Sequence, residues 1–165
     1  MLASALGMLK TMYDKIWDSH RIMSRDDGQA LVFIDRHFIH DVTAPAFQVL
    51  RDRGLKPRSP ERIFGTADHY VPTHTHEMSA INDPERRTMI EALTRDAKES
   101  NITVFGLHDP RQGIVHIVGP EKGLSLLGMT IVCAGSHTST QPVIAAASSG
   151  VVPQGKVSLS SPADA

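Results

Sequence analysis

The chain has 165 residues, which is room for one ordinary domain, because domains of soluble proteins cluster near ~100–150 residues. Apolar residues make up 41% and charged residues 21% of the chain, and this globular composition argues against wholesale disorder. Seventeen Lys and Arg residues against eighteen Asp and Glu residues give a net charge of −1, which excludes the basic surface typical of a general nucleic-acid binder.

Helix and strand patterns alternate in the first half of the chain. Apolar residues recur at three- and four-residue spacing over Leu9–His20, which predicts an amphipathic helix. The apolar run Leu31–Ile34 follows a turn-like Asp-Asp-Gly segment and predicts a buried strand. Thr43-Ala-Pro45 predicts the start of a second helix that ends at Gly54, and a polar loop follows it.

The second half continues the alternation. Asn82-Asp83-Pro84-Glu85 is a capped helix start, and the apolar spacing carries this helix toward Ser100. Ile102–Phe105 and Met129–Cys133 are the clearest remaining strands. Strands separated by helices predict an α/β fold with a mainly parallel, buried sheet.

The composition changes after Thr140. Residues 141–165 contain two charged residues, and Ala, Ser, Gly and Pro dominate. Because three prolines interrupt every stretch that could form a long element, we predict a domain over 1–140 and a flexible tail over 141–165. The alternative is a short edge strand at Pro142–Ala147 or Val151–Val152.

The cysteine content limits the cofactors that this chain can hold alone. Cys133 is the one cysteine, which excludes an internal disulfide and any all-cysteine metal or cluster site within these residues. It ends an apolar strand, so we expect a buried, inert thiol. No apolar run approaches the ~20 residues of a membrane span, and the sequence predicts a soluble, cytoplasmic protein.

Several of the nine histidines follow apolar runs, at the positions where open α/β sheets bind ligands. These histidines stand in the segments Asp35-Arg36-His37, His40-Asp41, Asp68-His69, Gly113–Val118 (which includes His116) and Ser136-His137. Adjacent Asp and His residues indicate acid–base chemistry, because a carboxylate can fix the tautomer of an imidazole and raise its basicity. Arg36 or Arg111 could hold a substrate carboxylate through two hydrogen bonds.

Each pattern also has a simpler structural interpretation, since a single histidine is most often a surface or hydrogen-bonded residue. His74-Thr-His76 could offer two imidazoles to a metal, but a third ligand is not evident. Ser136 and His137 with Asp68 match a hydrolase triad in residue types alone. Neighbouring side chains on a turn rarely point at each other, and the Gly-x-Ser-x-Gly pattern is absent.

Five motifs stand in an order that resembles one enzyme family. They are Leu9–His20, Phe33-Ile-Asp-Arg-His37 with His40-Asp-Val-Thr43, Thr66-Ala-Asp-His69, Gln112-Gly-Ile-Val-His116 and Gly128–Cys133. Over residues 8–140 the chain resembles the N-terminal third of the 3-isopropylmalate dehydratase large subunits, in the aconitase superfamily. The resemblance implies an incomplete, three-layer α/β/α aconitase-type domain, with homoaconitase and aconitase as alternative branches.

The resemblance also implies a reaction and its residues. The family reversibly dehydrates a hydroxy acid, here in leucine biosynthesis, with a 4Fe–4S cluster as Lewis acid and a small subunit as partner. By resemblance, Asp68 and His69 handle the departing hydroxyl, and His116 is a second active-site imidazole. Ser136 and His137 lie near cluster and substrate, and His40 and Arg36 bind substrate.

Two departures from the family's pattern predict that these residues are inactive alone. Gly135 replaces the aspartate of the family's Cys-Gly-Asp-Ser-His-Thr motif, and the three cluster cysteines of the family lie far downstream of this region. We therefore expect no cluster in this chain. A non-catalytic module that pairs with the dehydratase subunits, and a metal-independent enzyme using Asp68, His69 and His116, are the alternatives.

Overall fold

A computed structural model describes residues 10–138, and the tail over 141–165 with its candidate edge strands lies outside the described residues. Three single turns of 3-10 helix lie at Asp41–Thr43, Pro60–Arg62 and Met78–Ala80. The longer elements, in chain order, are α1 (Met12–His20), β1 (Arg21–Ser24), β2 (Ala30–Val32), β3 (Arg36–His40), α2 (Ala44–Asp52), β4 (Ile63–Thr66), α3 (Pro84–Glu99), β5 (Thr103–Phe105), α4 (Val115–Glu121) and β6 (Ile131–Cys133).

Four of the strands form one parallel sheet, which confirms the predicted α/β class. Their order is β5-β4-β3-β6, and every neighbouring pair is parallel. In register, His40 pairs with Thr66 and Thr66 with Phe105, so β3, β4 and β5 end at one edge of the sheet. Strands β1 and β2 form a separate antiparallel hairpin. Between residues 10 and 138, no helix is long and apolar enough to cross a membrane.

The sequence predicts a buried strand at Leu31–Ile34, but the structure buries a different segment. The run Leu31–Ile34 contributes only to hairpin strand β2, and the Leu31 side chain is 53% exposed. The buried central strand is β3, where Phe38 and Ile39 are 2% and 1% exposed. The apolar centre of β3 is flanked by Arg36, His37 and His40, so it lacks the continuous apolar run that marks a buried parallel strand. Asp35-Arg36-His37 therefore begins a strand rather than following one.

Helices cover both faces of the sheet, which gives three layers. Successive residues of a strand point to opposite faces, so Phe38 and Ile39 lead into different cores. Ile39 packs in a cluster that includes Phe47 of α2 and Leu93 of α3. Phe38 packs on the other face with Val115 of α4, together with Ile131 and Cys133 of β6.

Gly65 in β4 allows the close approach of its two neighbouring strands. A Cβ at this position would lie 2.8 Å from Val104 Cγ2 and 2.9 Å from Ile39 Cγ1, which are closer than side chains pack. We expect Gly65→Ala to lower the free energy of unfolding by about 2 kcal/mol, because the strands must shift to relieve this overpacking. Gly106→Ala is the matched control, since a Cβ there meets nothing within 4 Å. Urea denaturation of both variants measures the difference, and equal midpoints would contradict the proposed close packing.

Candidate functional site

Four of the polar residues predicted from the sequence converge at the carboxyl edge of the sheet: His40, Asp68, His69 and His116. Strand β3 ends at His40, and Asp68 and His69 follow the end of β4. Helix α4 brings His116 to the same edge from its first turn. Because parallel strands all end there, residues distant in sequence meet in one place, where α/β sheets bind ligands.

Asp68 holds His69 in a fixed orientation. One carboxylate oxygen of Asp68 accepts a short hydrogen bond from His69 Nδ1, and the other accepts from the backbone N–H of Val115 at 2.8 Å. The side chain of Asp68 is 5% exposed, whereas that of His69 is 41% exposed. A proton on Nδ1 leaves Nε2 of His69 as the nitrogen that can exchange a proton with a ligand.

Asp41 organises the loop that carries His69, a role that the sequence did not reveal. Its carboxylate is fully buried and accepts from the backbone N–H groups of His69 at 3.3 Å and Tyr70 at 2.9 Å. Burial alone would raise the pKa of Asp41, but His40 and these two N–H groups lower it below its usual range. The one feature of the sequence that points to this role is that Asp41 directly follows His40, the last residue of β3.

His40 lies beneath His69 and is fully buried. The two imidazole rings stack with centroids 4.2 Å apart and planes 16° from parallel. Burial lowers the pKa of His40, but Asp41, Cys133 and Asp68 outweigh it and raise the pKa to about 9. Its Nδ1 is 3.7 Å from Asp41 Oδ1, and within residues 10–138 neither ring nitrogen has a hydrogen-bond partner.

An open cleft of about 360 Å³ lies above these residues. The structure places both His69 and His116 on this cleft. Burial lowers the pKa of His116, and the neighbouring imidazoles lower it further against the opposing effect of Asp68, so His116 is neutral at pH 7. The lining residues are Asp68, His69, Ile114, His116, Ile117, Gly135 and His137.

Gly135 faces two of the imidazoles. A Cβ at this position would lie 3.3 Å from Nε2 of His116 and 3.7 Å from Nε2 of His40. A carboxylate on residue 135 would therefore reach His116 directly, which agrees with the family motif in which an aspartate stands here. Because this chain has Gly135 at the position, the space that a side chain would fill beside His116 is part of the cleft.

The two arginines considered from the sequence lie away from the cleft. Arg36 begins β3 while His40 ends it, which separates their backbones by about 13 Å along the strand. The Arg36 guanidinium donates to the Asp35 carbonyl at 2.9 Å, and the structure does not bring it to the cleft. Arg111 makes two hydrogen bonds to the Asp109 carboxylate, at 2.9 and 2.7 Å, which occupy the groups that a substrate carboxylate would use.

Two other histidine motifs have different surroundings. His74 lines a neighbouring cavity of about 540 Å³ that His69 also borders, and His76 lines neither cavity. Ser136 Oγ lies 3.2 Å from Nδ1 of His137, so these adjacent side chains do contact each other, contrary to expectation. Both are exposed, but only His137 lines the cleft.

His37 in β3 makes the fold sensitive to acid. Its Nε2 is buried without a hydrogen-bond partner within residues 10–138, and burial with the nearby His40 lowers the pKa to about 4 from 6.5. The unfolded chain therefore gains a proton at higher pH than the folded chain. The contribution of His37 to the free energy of unfolding is fully present above pH 6.5 and is lost as the pH falls toward 4, by about 3 kcal/mol in total.

The matched variant is His37→Gln, which keeps a polar side chain but does not titrate. We expect the stability difference between pH 7 and pH 4 to be smaller in this variant than in the parent chain. Urea midpoints at half-unit pH steps measure it. Parallel pH profiles for the two proteins would show that His37 does not couple folding to protonation.

The residues of this chain do not fit a 4Fe–4S cluster. Cys133 is the single cysteine and is fully buried among Phe38, Val115 and Ile131. A cubane needs about three protein thiolates. The donors around the cleft are instead imidazoles and carboxylates, which suit other metals.

Comparisons with known proteins identify the family of this chain. The Aconitase family (aconitate hydratase) matches residues 14–155. The 3-isopropylmalate dehydratase large subunit of Bacteroides thetaiotaomicron is 45% identical over 144 residues, which are 87% of this chain and 31% of the relative. The chain therefore spans about a third of the length of that relative. Residues 14–155 cover most of the sequence, and the chain belongs to the aconitase family.

Proposed function

We propose that these residues form the proton-transfer and substrate-orienting part of a hydro-lyase of the 3-isopropylmalate dehydratase type. Such an enzyme reversibly removes water from a hydroxy acid, and we place it in the cytoplasm and in leucine biosynthesis. The observation that carries the proposal is the Asp68–His69 pair beside His116 on one cleft. The similarity to a large subunit supports the same reaction.

The Asp68–His69 pair has the geometry that is required to protonate a leaving group. Hydroxide leaves a carbon atom slowly, and a proton donor allows it to leave as water. His69, held at Nδ1 by Asp68, transfers the proton from Nε2, and the buried carboxylate stabilises the imidazolium before the transfer. The reverse reaction returns the proton to the same nitrogen.

His116 and His137 orient the substrate in this proposal. His116 is neutral at pH 7 because its pKa is lowered, so its ring offers one donor and one acceptor to a hydroxyl or carboxylate. His137 is exposed at the rim of the cleft and can donate to a second carboxylate. His40 supports His69 from below by stacking rather than by facing the cleft.

The proposal requires further polypeptide. The chain supplies one cysteine, so the 4Fe–4S cluster that provides Lewis-acid assistance in this family takes its ligands from elsewhere. We propose that the chain acts with the remainder of a large subunit and with the small subunit of the dehydratase. The exposed apolar side chains of Ile114 and Ile117 line the cleft, at 55% and 49% exposure, and are available for such contacts.

A chimera tests the proposal. In the chimera, residues 14–155 replace the matching segment of the Bacteroides thetaiotaomicron large subunit. The chimeric large subunit is then loaded with a 4Fe–4S cluster and assembled with the small subunit of the dehydratase. We expect it to dehydrate 3-isopropylmalate at a rate about 10- to 100-fold below the relative, because Gly135 removes a carboxylate partner of His116. Gly135→Asp in the chimera is expected to recover most of this loss.

The competing function is a non-catalytic module that pairs with the same subunits. The absence of a carboxylate at Gly135 and the exposed apolar side chains favour it. A chimera that binds the small subunit and a full cluster, yet stays inactive both with Gly135 in place and after the Gly135→Asp substitution, would support the module and contradict the proposed acid–base role.

A further inference from the structure

A small cavity of about 190 Å³ lies between β3, α2 and the loop that joins α2 to β4. His37 and Ile39 point to the same face of β3, the face that α2 and α3 cover, and both line this cavity. Helix α4, which carries His116, covers the opposite face of the sheet. The cavity is therefore separate from the cleft of the candidate active site.

The lining of the cavity suits a compact apolar molecule. Six of the lining side chains are apolar: Ile39, Ala46, Phe47, Leu50, Pro57 and Ile63. Protein cores contain few voids larger than a water molecule, so a cavity of this size is unusual. A cavity of about 150 Å³ with an apolar lining holds a molecule the size of benzene. A hydrocarbon group of about five to seven carbon atoms therefore fits.

His37 is an independent indication that the cavity has a polar ligand. Its side chain makes no hydrogen bond with any other residue between 10 and 138, and its Nε2 atom is buried. Because the pKa of His37 is lowered to about 4, the ring is neutral at pH 7 and carries one N–H donor. A buried polar group without a partner is destabilising, so such groups in folded proteins usually contact a ligand, an ion or water. A ligand with an acceptor oxygen would satisfy this donor.

Arg58 places a positive charge at the cavity. Its side chain lines the cavity, is exposed, and forms no ion pair with any carboxylate among the described residues. Arg53 and Lys56 belong to the same loop, and residues 53–60 contain no acidic side chain. A loop with charges of one sign attracts an anion, and a guanidinium binds a carboxylate through two parallel hydrogen bonds.

We propose that this cavity is a binding site for a compact apolar carboxylate. The hydrocarbon part of the ligand packs against Ile39, Phe47 and Leu50. Its carboxylate binds the guanidinium of Arg58 and accepts a hydrogen bond from the ring of His37. The charge selects an anion over a neutral molecule of the same shape, and the volume excludes a nucleotide or a long acyl chain. This site does not depend on the proposed function.

Titration of the full chain with benzoate tests the site, because benzoate joins a benzene ring to a carboxylate. The chain is labelled with carbon-13 at its isoleucine and leucine methyl groups and followed by NMR. The ring current of bound benzoate should shift the methyl signals of Ile39, Leu50 and Ile63 in a saturable manner. The methyl signals of Ile131, in the core on the opposite face, should not move. Benzamide, which has the same shape without the charge, should bind at least about 10-fold more weakly.

Three variants identify the groups that bind the ligand. Arg58→Gln should weaken benzoate binding at least about 10-fold and leave benzamide binding unchanged, because it removes the charge and keeps the apolar lining. Arg53→Gln is the matched control, since Arg53 is a cation of the same loop that does not line the cavity, and its benzoate affinity should stay within about threefold of the parent. Ala46→Leu fills the cavity with a residue that favours a helix and should abolish the shifts.

The Ile131 methyl signals show whether each variant is folded. The site would be overturned by the absence of saturable shifts at Ile39, Leu50 and Ile63 in the parent chain. Equal affinities for benzoate and benzamide, or unchanged benzoate affinity in folded Arg58→Gln, would also overturn it. Because the titration needs neither a cluster nor turnover, its failure is distinct from failure of the chimera.

Discussion

Asp41→Ala is expected to lower the free energy of unfolding by about 3–5 kcal/mol, a large part of the stability of an ordinary domain. The Asp41 carboxylate is fully buried and accepts from the backbone N–H groups of His69 and Tyr70. Its removal leaves both N–H groups without this acceptor and leaves the His40 imidazolium without its nearest carboxylate. Urea denaturation at pH 7 measures the loss.

Asp52→Ala is the matched control for this prediction. The Asp52 carboxylate is exposed at the end of α2, and its one hydrogen bond within residues 10–138 is accepted from the Gln48 side chain, so we expect a change below about 0.5 kcal/mol. Equal stabilities of the two variants would show that Asp41 does not hold the loop. Hydrogen exchange at the Tyr70 amide gives a local readout, which should accelerate in Asp41→Ala under conditions where the variant is folded.

His69→Ala in the assembled chimera is expected to lower kcat/KM for 3-isopropylmalate by about 10²–10⁴-fold, the usual contribution of a positioned acid–base group. The loss should fall mainly on kcat, because the proton transfer occurs in the transition state. Asp68→Asn should reduce the rate less and shift its pH profile, since the amide still orients the ring but no longer stabilises the imidazolium.

The control for His69 is His74→Ala, which lies in the neighbouring cavity. It should leave kcat/KM within about threefold of the chimera. Thermal melting and cluster content of each variant exclude a loss of folding or assembly. A folded His69→Ala chimera with unchanged turnover would remove His69 from the proton-transfer role.

Helices α1, α2 and α3 and the outer strands β5 and β6 were predictable because local signals mark their ends. Asp83 caps α3 through its hydrogen bond to the Glu85 N–H, at 2.9 Å, and Pro84 fits the first turn. The predicted ends at Gly54 and Ser100 lie within two residues of the observed ends of α2 and α3. These capping signals depend only on residues adjacent in the sequence, so they can be recognised without knowledge of the tertiary contacts.

The central strand and the support of the site could not be predicted in the same way. β3 has charged or polar residues at three of its five positions, and its burial follows from the strands on either side of it. Helix α4 contains Gly119 and Pro120, which locally argue against a helix. The contact of Asp41 with the His69 backbone spans 28 residues and exists only after the sheet has formed. The site residues Asp68, His69 and His116 were found because they are reactive types in recognisable motifs.

We propose that this chain carries the proton-transfer groups of the site while other polypeptide supplies the cluster ligands. Anaerobic incubation of the purified 165-residue chain with iron and sulfide tests this division, through iron and sulfide content, visible absorbance and turnover of 3-isopropylmalate. We predict far less than one cluster per chain and no turnover, because Cys133 is the single thiol and is fully buried. Uptake of close to one 4Fe–4S cluster per chain together with dehydration of 3-isopropylmalate would contradict this division of the active site.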